Sequence, residues 1–264
     1  METTQQPIDF DRVGQLFAKA RNNYSTASPF PHASFDDLFD VDVLRTIEAE
    51  FPQPGNMGEN FTGEIEGGKF TESEWAKFGP ATQDFVAAAN SGTFCSLLSD
   101  LTGIPGLISD PYLSGGGQHQ TATGGRLKVH SDFNVHPFLR LTRQLNMIVY
   151  LNDDWDEKWG GQLELWDKEM THAEAKITPH IGNVVIFTCS DISYHGLPDP
   201  LTCPQDRFRR SLAFYYFTAD QQTPDARSTL WKERPGEDFM SKPSARFKRA
   251  GGHAYRAVKT LFGK

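Results

Sequence analysis

Leu145-Asn146-Met147-Ile148-Val149-Tyr150-Leu151 is an apolar run of strand length, bounded by polar residues on both sides. Similar short runs lie at 127–133, 162–166, 184–188 and 211–218. Between them stand turn-forming stretches: Gly115-Gly116-Gly117, Gly124-Gly125, Gly160-Gly161 and Ile181-Gly182-Asn183. Many short strands separated by Gly-rich turns predict an all-β sandwich or barrel, not a parallel βαβ sheet.

Upstream the periodicity is helical. Residues 9–21 place Phe10, Val13, Leu16 and Phe17 on one side. A second helix starts after Asp40, a good N-cap, and buries Val43, Leu44, Ile47 and Phe51 before Pro52 stops it. The stretch 53–68 reads as a Gly-, Pro- and Asn-rich loop, and helical patterning resumes at 72–89 and 94–101. No internal repeat is found. The expected organisation is mainly β with N-terminal helices. A helical support region spans 1–107, a β jelly-roll core 108–220 and a C-terminal extension 221–264. The end of that extension, 244–264, carries Arg246, Lys248, Arg249, Arg256, Lys259 and Lys264 with no acidic residue. It reads as a solvated helix laying Phe247, Tyr255, Val258 and Leu261 on the body; contact with an acidic partner or membrane surface is the less favoured reading.

With 264 residues and a formal charge of −8, the chain lacks the basic footprint of a general nucleic-acid binder. Its first residues, Met1-Glu2-Thr3-Thr4-Gln5-Gln6, show no basic start leading into an apolar stretch, so no signal peptide is read. No apolar run is long enough to span a bilayer. Cys95, Cys189 and Cys203 are an odd count without paired spacing, which suits reduced thiols and a cytoplasmic location.

His130-Ser131-Asp132 closes one predicted strand, and residues i and i+2 of a strand point to the same face. Any single His-x-acid is weak evidence; His172-Ala173-Glu174 is a second instance, in a polar segment with no strand pattern to aim it. The rest of the order adds weight. His195 follows the run 184–188 and a short polar loop, and Arg209-Arg210-Ser211 opens the aromatic run after it. Two histidines and one carboxylate on one face of an iron ion leave its other positions open for oxygen chemistry. An Arg on the next strand can grip a dicarboxylate by a bidentate ion pair. Alternation puts Arg209 and Arg210 on opposite faces of that strand.

From about Leu113 to Thr218 the chain resembles the 2-oxoglutarate- and Fe(II)-dependent dioxygenases, specifically the prolyl 4-hydroxylase-like branch. The marks are Leu127-Lys128-Val129-His130-Ser131-Asp132-Phe133-Asn134, the run Leu145 to Asn152, Trp155, Gly160-Gly161-Gln162-Leu163-Glu164-Leu165-Trp166, His195-Gly196 and Arg209-Arg210-Ser211. Weaker ones are Pro29-Phe30-Pro31-His32 and Ser228-Thr229-Leu230-Trp231. The resemblance implies a double-stranded β-helix buttressed by helices, with iron on His130, Asp132 and His195. It implies that Arg209, first in Arg-x-Ser, binds the distal carboxylate of 2-oxoglutarate ahead of Arg210, that Tyr150 lends its hydroxyl to the same carboxylate with Ser211 also binding, and that ascorbate is an accessory reductant. The implied activity is hydroxylation of an unactivated C–H in a peptidyl or small-molecule substrate, a prolyl residue or another amino-acid derivative, with no nucleic-acid partner. A cupin-like metal-binding sensor or scaffold is the alternative, and it would not need Arg209 or Tyr150. Asn146 shares strand parity with Ile148 and Tyr150 and is read either as facing the pocket or as a structural hydrogen-bonder. His119 is read as a loop histidine, with lining of the substrate entrance the less favoured reading, Trp166 and Phe187 as core, and Cys189 as a small buried residue, not a nucleophile.

Overall fold

Helices in this chain begin where a side chain or a proline accounts for their first free amides. In the computed structural model, which describes residues 6–220 and 224–241, the Asp9 carboxylate accepts from Arg12 N at the start of α1 (Phe10–Tyr24). After β1 (His32–Phe35), Asp40 caps α2 (Val41–Ala49) by accepting from Asp42 N. A hairpin of β2 (Glu59–Thr62) and β3 (Glu66–Glu72) precedes α3 (Pro80–Ala89). That helix opens on a proline, and its amides at Ala81 and Thr82 are received by Glu50, at 2.9 and 2.8 Å. Ser91 then caps α4 (Gly92–Thr102).

Apart from three short helical turns, the remaining described elements are strands: β4 (Ile108–Ser109), β5 (Gly117–Ser131), β6 (Thr142–Tyr150), β7 (Leu163–Trp166), β8 (Ala173–Ile177), β9 (Val184–Thr188), β10 (His195–Leu197), β11 (Arg209–Thr218) and β12 (Leu230–Trp231). They pair antiparallel in the order β1-β9-β6-β11-β5-β10-β7-β8, with β3 also on β5 and β2 on β3. Strand β5 carries the sheet from one side of the molecule to the other. Its first half pairs with β11 and its second half with β10 and β12, while β3 runs alongside both, with a register shift between Gly67 and Lys69. The chain bends between them at Gly124, where φ is +77°, and Gly125, where a Cβ would lie 2.4 Å from the Thr121 side chain. This is the double-stranded β-helix that the resemblance implied.

Alternation along β6 and β11 divides the molecule into layers. Leu145, Met147, Val149, Leu212, Phe214 and Tyr216 pack outward against Phe17, Leu44, Phe85, Phe94 and Leu98 of the four helices. Asn146, Ile148, Ser211, Ala213 and Tyr215 face inward. The buttressing helices thus follow from a sheet that must bury both faces.

Three local expectations are corrected. Residues 53–68 are not simply a loop, because they hold β2 and the start of β3, whose backbone groups are paired with each other and with β5. Helix is absent from 72–79 apart from a single short turn at Trp75–Lys77, since Glu72 ends β3 and Pro80 sets the first helical turn. His172-Ala173-Glu174 leads into strand β8 on the sheet edge, where pairing with β7 overrides its polar composition. The basic segment 244–264 lies outside the described residues. No described helix is long and apolar enough to cross a membrane.

Candidate active site

His130 ends the inner half of β5 and His195 begins β10, and the two are direct cross-strand partners. Their rings lie 4.5 Å apart, centroid to centroid. Asp132 follows two residues after His130 and turns to the same side, with its carboxylate oxygens 3.4 Å from Nε2 of each histidine. One ligand atom from each of the three residues falls within 4.8 Å of the others. Gly196 permits this closeness: a Cβ there would lie 2.8 Å from the Leu127 carbonyl oxygen.

The tautomers suit a metal. Nδ1–H of His130 donates to the Lys128 carbonyl at 2.8 Å, and Nδ1–H of His195 donates to the Ser193 carbonyl at 2.9 Å. Both Nε2 lone pairs therefore point at Asp132. Burial, with His130 adjacent, draws the pKa of His195 down to about 4 against the opposing pull of Asp132. Asp132 lies well below the usual carboxylate range: burial would raise it, but Arg143 and the two histidines lower it further. Its Oδ2 accepts from Asn146 Nδ2 at 2.8 Å and lies 3.0 Å from Arg143 Nη2, which leaves Oδ1 for a cation. Two imidazoles and one carboxylate on one side of a cavity form the donor set that Fe(II) takes in non-haem oxygenases. The residues present fit that ion.

Arg143 escapes sequence reading. Parity with Leu145 and Met147 would send it to the helical face, but the pairing of β6 with β11 shifts register between Tyr216 and Phe217 and turns it inward. There its Nε and Nη2 donate to Asn146 Oδ1 at 3.0 and 2.6 Å, and its guanidinium lies 3.5 Å from the Tyr215 ring centroid and 4.5 Å from that of Phe133. Asn146 links this cation to Asp132, so it is both a hydrogen-bonding residue and a lining one. The Cys189 thiol also donates to Asn146 Oδ1, at 3.2 Å, and burial pushes its pKa up to about 12, unsuited to a nucleophile.

These groups line a cavity of about 170 Å³. Arg209 and Ser211 enter it from β11, whereas Arg210 points to the helices and pairs with Glu48 of α2. Arg209 is buried, donates through Nε to the Gly161 carbonyl at 2.7 Å and through Nη2 to the Tyr150 hydroxyl at 3.3 Å, and pairs with no carboxylate among the described residues. Burial lowers its pKa, opposed by Tyr150. A buried cation lacking its anion suits an anionic ligand such as a dicarboxylate. Tyr150 is fully buried and meets Arg209 directly. His119 is not a loop residue: pairing with Ser211 and Thr71 holds it in β5, where it lines the same cavity and donates from Nε2 to the Gly115 carbonyl at 3.0 Å. Phe187 is buried and packs edge-on to His195 at 4.7 Å, and Trp166 is buried with its indole N–H on Glu164. His172 is exposed beside Asp167, outside the cavity.

A model of the 2OG-Fe(II) oxygenase superfamily matches residues 117–217. No curated protein sequence matches the chain. Among solved structures, a prolyl-4-hydroxylase of Pseudomonas putida superposes with a TM-score of 0.51 at 18% identity, covering 77% of this chain and 100% of that one. A prolyl hydroxylase of Trichoplax adhaerens, in complex with a hypoxia inducible factor peptide fragment, gives 0.52 at 14% identity over 79% and 90%. A prolyl 4-hydroxylase of Phytophthora capsici gives 0.54 at 18% identity over 85% and 70%. At such identities the likeness establishes the fold. Residues 117–217, which hold the His-Asp-His cluster and the buried arginine, match the 2OG-Fe(II) oxygenase superfamily, and the chain has the fold of the prolyl 4-hydroxylases.

Proposed function

We propose that His130, Asp132 and His195 hold the iron, that Arg209 anchors the distal carboxylate of 2-oxoglutarate with Ser211 beside it, and that Tyr150 braces Arg209. Iron and 2-oxoglutarate, when bound, couple the conversion of 2-oxoglutarate and dioxygen to succinate and carbon dioxide with hydroxylation of an unactivated C–H. This chain's residues contribute placement. The two Nδ1–H bonds aim the imidazoles, and Asn146 and Arg143 hold one oxygen of Asp132 so that the other faces the ion. Leu127, Ile148, Leu163 and Leu197 line the cavity with apolar surface and exclude water around Arg209. The observation that carries this reading is Arg209, a buried cation without a protein carboxylate on the wall that also presents Ser211. A metal-binding scaffold would have no use for it.

The substrate we propose is a prolyl residue or another amino-acid-derived molecule. Support comes from a cavity that combines the Lys69–Glu66 ion pair and Arg143 with the aromatic rings of Phe133 and Tyr215, and from the peptide held by the Trichoplax relative. Residues 108–220 would be the oxygenase core, 1–107 its support and 221–264 an extension; the free thiols of Cys95, Cys189 and Cys203 suit a reducing cytoplasm. Ascorbate would serve as an accessory reductant.

Mixed anaerobically with Fe(II) and 2-oxoglutarate, the protein should develop the weak visible charge-transfer band of a chelated keto acid. The band should be missing in Asp132→Ala, and admitting oxygen to the wild type should release succinate. Tight Fe(II) binding with neither band nor succinate would overturn the assignment. A succinate-release screen over proline-containing peptides and free amino acids, with mass spectrometry of the product, then tests the substrate class; stimulation only by molecules unrelated to amino acids would refute it.

A further inference from the structure

The segment 224–241 lies outside the residues matched to the family, yet it forms one wall of the site. Arg227 fastens it: Nη1 donates to the Asp132 backbone carbonyl at 2.6 Å, Nη2 to Ser131 Oγ at 3.3 Å, and Nε to Asp191 Oδ1 at 2.8 Å. Asn134 accepts from the Arg227 amide and donates to the Asp225 carbonyl. Strand β12 then pairs with the metal strand in a register that sets Trp231 opposite His130 and Leu230 opposite Ser131. Lys232 N closes the edge by donating to the Val129 carbonyl at 2.8 Å. Further on, Glu237 meets Lys128 Nζ at 2.5 Å, and Phe239 packs on Ile65 in the β2–β3 turn. Thr229 and Trp231 line the cavity, and the indole of Trp231 lies 5.0 Å from the His130 ring at an interplanar angle of 39°.

A histidine ring turns easily about χ2, because that torsion has broad wells. The Nδ1–H bond to Lys128 resists a flip of the His130 ring but leaves its tilt free. His195 covers one neighbouring position, and Trp231 covers another. We infer that the segment 224–241 is a strap that completes the iron site, and that Trp231 is a positioning residue which holds the His130 ring at the angle its Nε2 needs. This inference rests on the assignment of His130 as an iron ligand.

The test compares Trp231→Leu, which keeps apolar volume without a planar face, with Trp231→Phe, which keeps a ring. Fe(II) affinity is measured anaerobically by titration, alongside the charge-transfer band with 2-oxoglutarate and the quenching of tryptophan fluorescence by Fe(II). Trp231→Leu should bind Fe(II) about tenfold more weakly, as loss of an outer-shell partner typically does, and shift the band. Trp231→Phe should bind within about twofold of wild type, but with much of the fluorescence quench gone. Arg227→Ala, which touches the strap outside the cavity, should also weaken Fe(II) binding. Trp231→Leu binding as wild type does, or Trp231→Phe losing as much as Trp231→Leu, overturns the positioning role. A wild-type protein that binds no Fe(II) overturns the ligand assignment itself, and this inference with it.

Discussion

Arg209 and Arg210 are neighbours in sequence with opposite surroundings, one in the cavity and the other against Glu48 on the outer face. Arg209→Ala should raise the 2-oxoglutarate requirement by the equivalent of about 2–5 kcal/mol, the usual result of stranding a buried charge partner. Arg210→Ala should leave that requirement unchanged and lower thermal stability slightly; steady-state kinetics on both variants decides, and the reverse order would refute the assignment. Strand parity in the sequence set these two on opposite faces, and the Arg-x-Ser resemblance chose Arg209. Parity misplaces Arg143, because the register shift that turns it inward depends on how β6 meets β11 and leaves no mark in local composition. Asn146 is the link between Arg143 and Asp132. Asn146→Ala should weaken Fe(II) binding about 10- to 100-fold while the three ligands remain, as other outer-shell losses do. An unchanged Fe(II) isotherm would show that Arg143 alone suffices to hold the carboxylate.

The loop that carries the chain from Asp132 back to β6 is held by a buried pair. Asp110 Oδ1 accepts from His136 Nε2 at 2.9 Å and from Tyr112 N at 2.8 Å, and its Oδ2 accepts from Ser114 N at 2.6 Å. His136 Nδ1 in turn accepts from the amides of Phe138 and Leu139. Burial would raise the Asp110 pKa, but these donors bring it below the ordinary carboxylate value. A depressed folded-state pKa contributes stability that is present above the unfolded value and is lost as pH falls through the folded one. Asp110→Asn should therefore cost about 2 kcal/mol at neutral pH, and its deficit should shrink as the pH falls below the carboxylate range. Melting curves across acidic pH check this; a gap that stays constant to low pH would refute the role. Elements were legible where a local signal acts alone, as with the cap at Asp40. They were not legible where pairing with distant segments decides. Strands β2, β3 and β8 look polar and loop-like because each borrows its order from a neighbour.

One apolar core joins the four described helices to the outer face of β6 and β11, and Phe94 lies wholly buried in it, against Phe17, Phe39 and Tyr216. Phe94→Ala should lower global stability by about 3–5 kcal/mol and leave Fe(II) affinity of the folded protein unaltered, since the cavity lies on the other face of those strands. Chemical denaturation paired with an Fe(II) titration checks both halves; a loss of affinity matching the loss of stability would show that the two faces are coupled. Sequence by itself determined the class of the fold, the ligands His130, Asp132 and His195 as candidates, and Arg209 over Arg210, because strand alternation and residue chemistry are local properties. Only the tertiary structure decided that His130 and His195 sit directly across from each other, that Arg143 turns inward to hold Asp132, and that Trp231 returns from the far end of the chain to lie on His130. Those placements arise from strand register and closure between segments far apart in the chain, where free energy depends on which surfaces meet and not on any window of sequence.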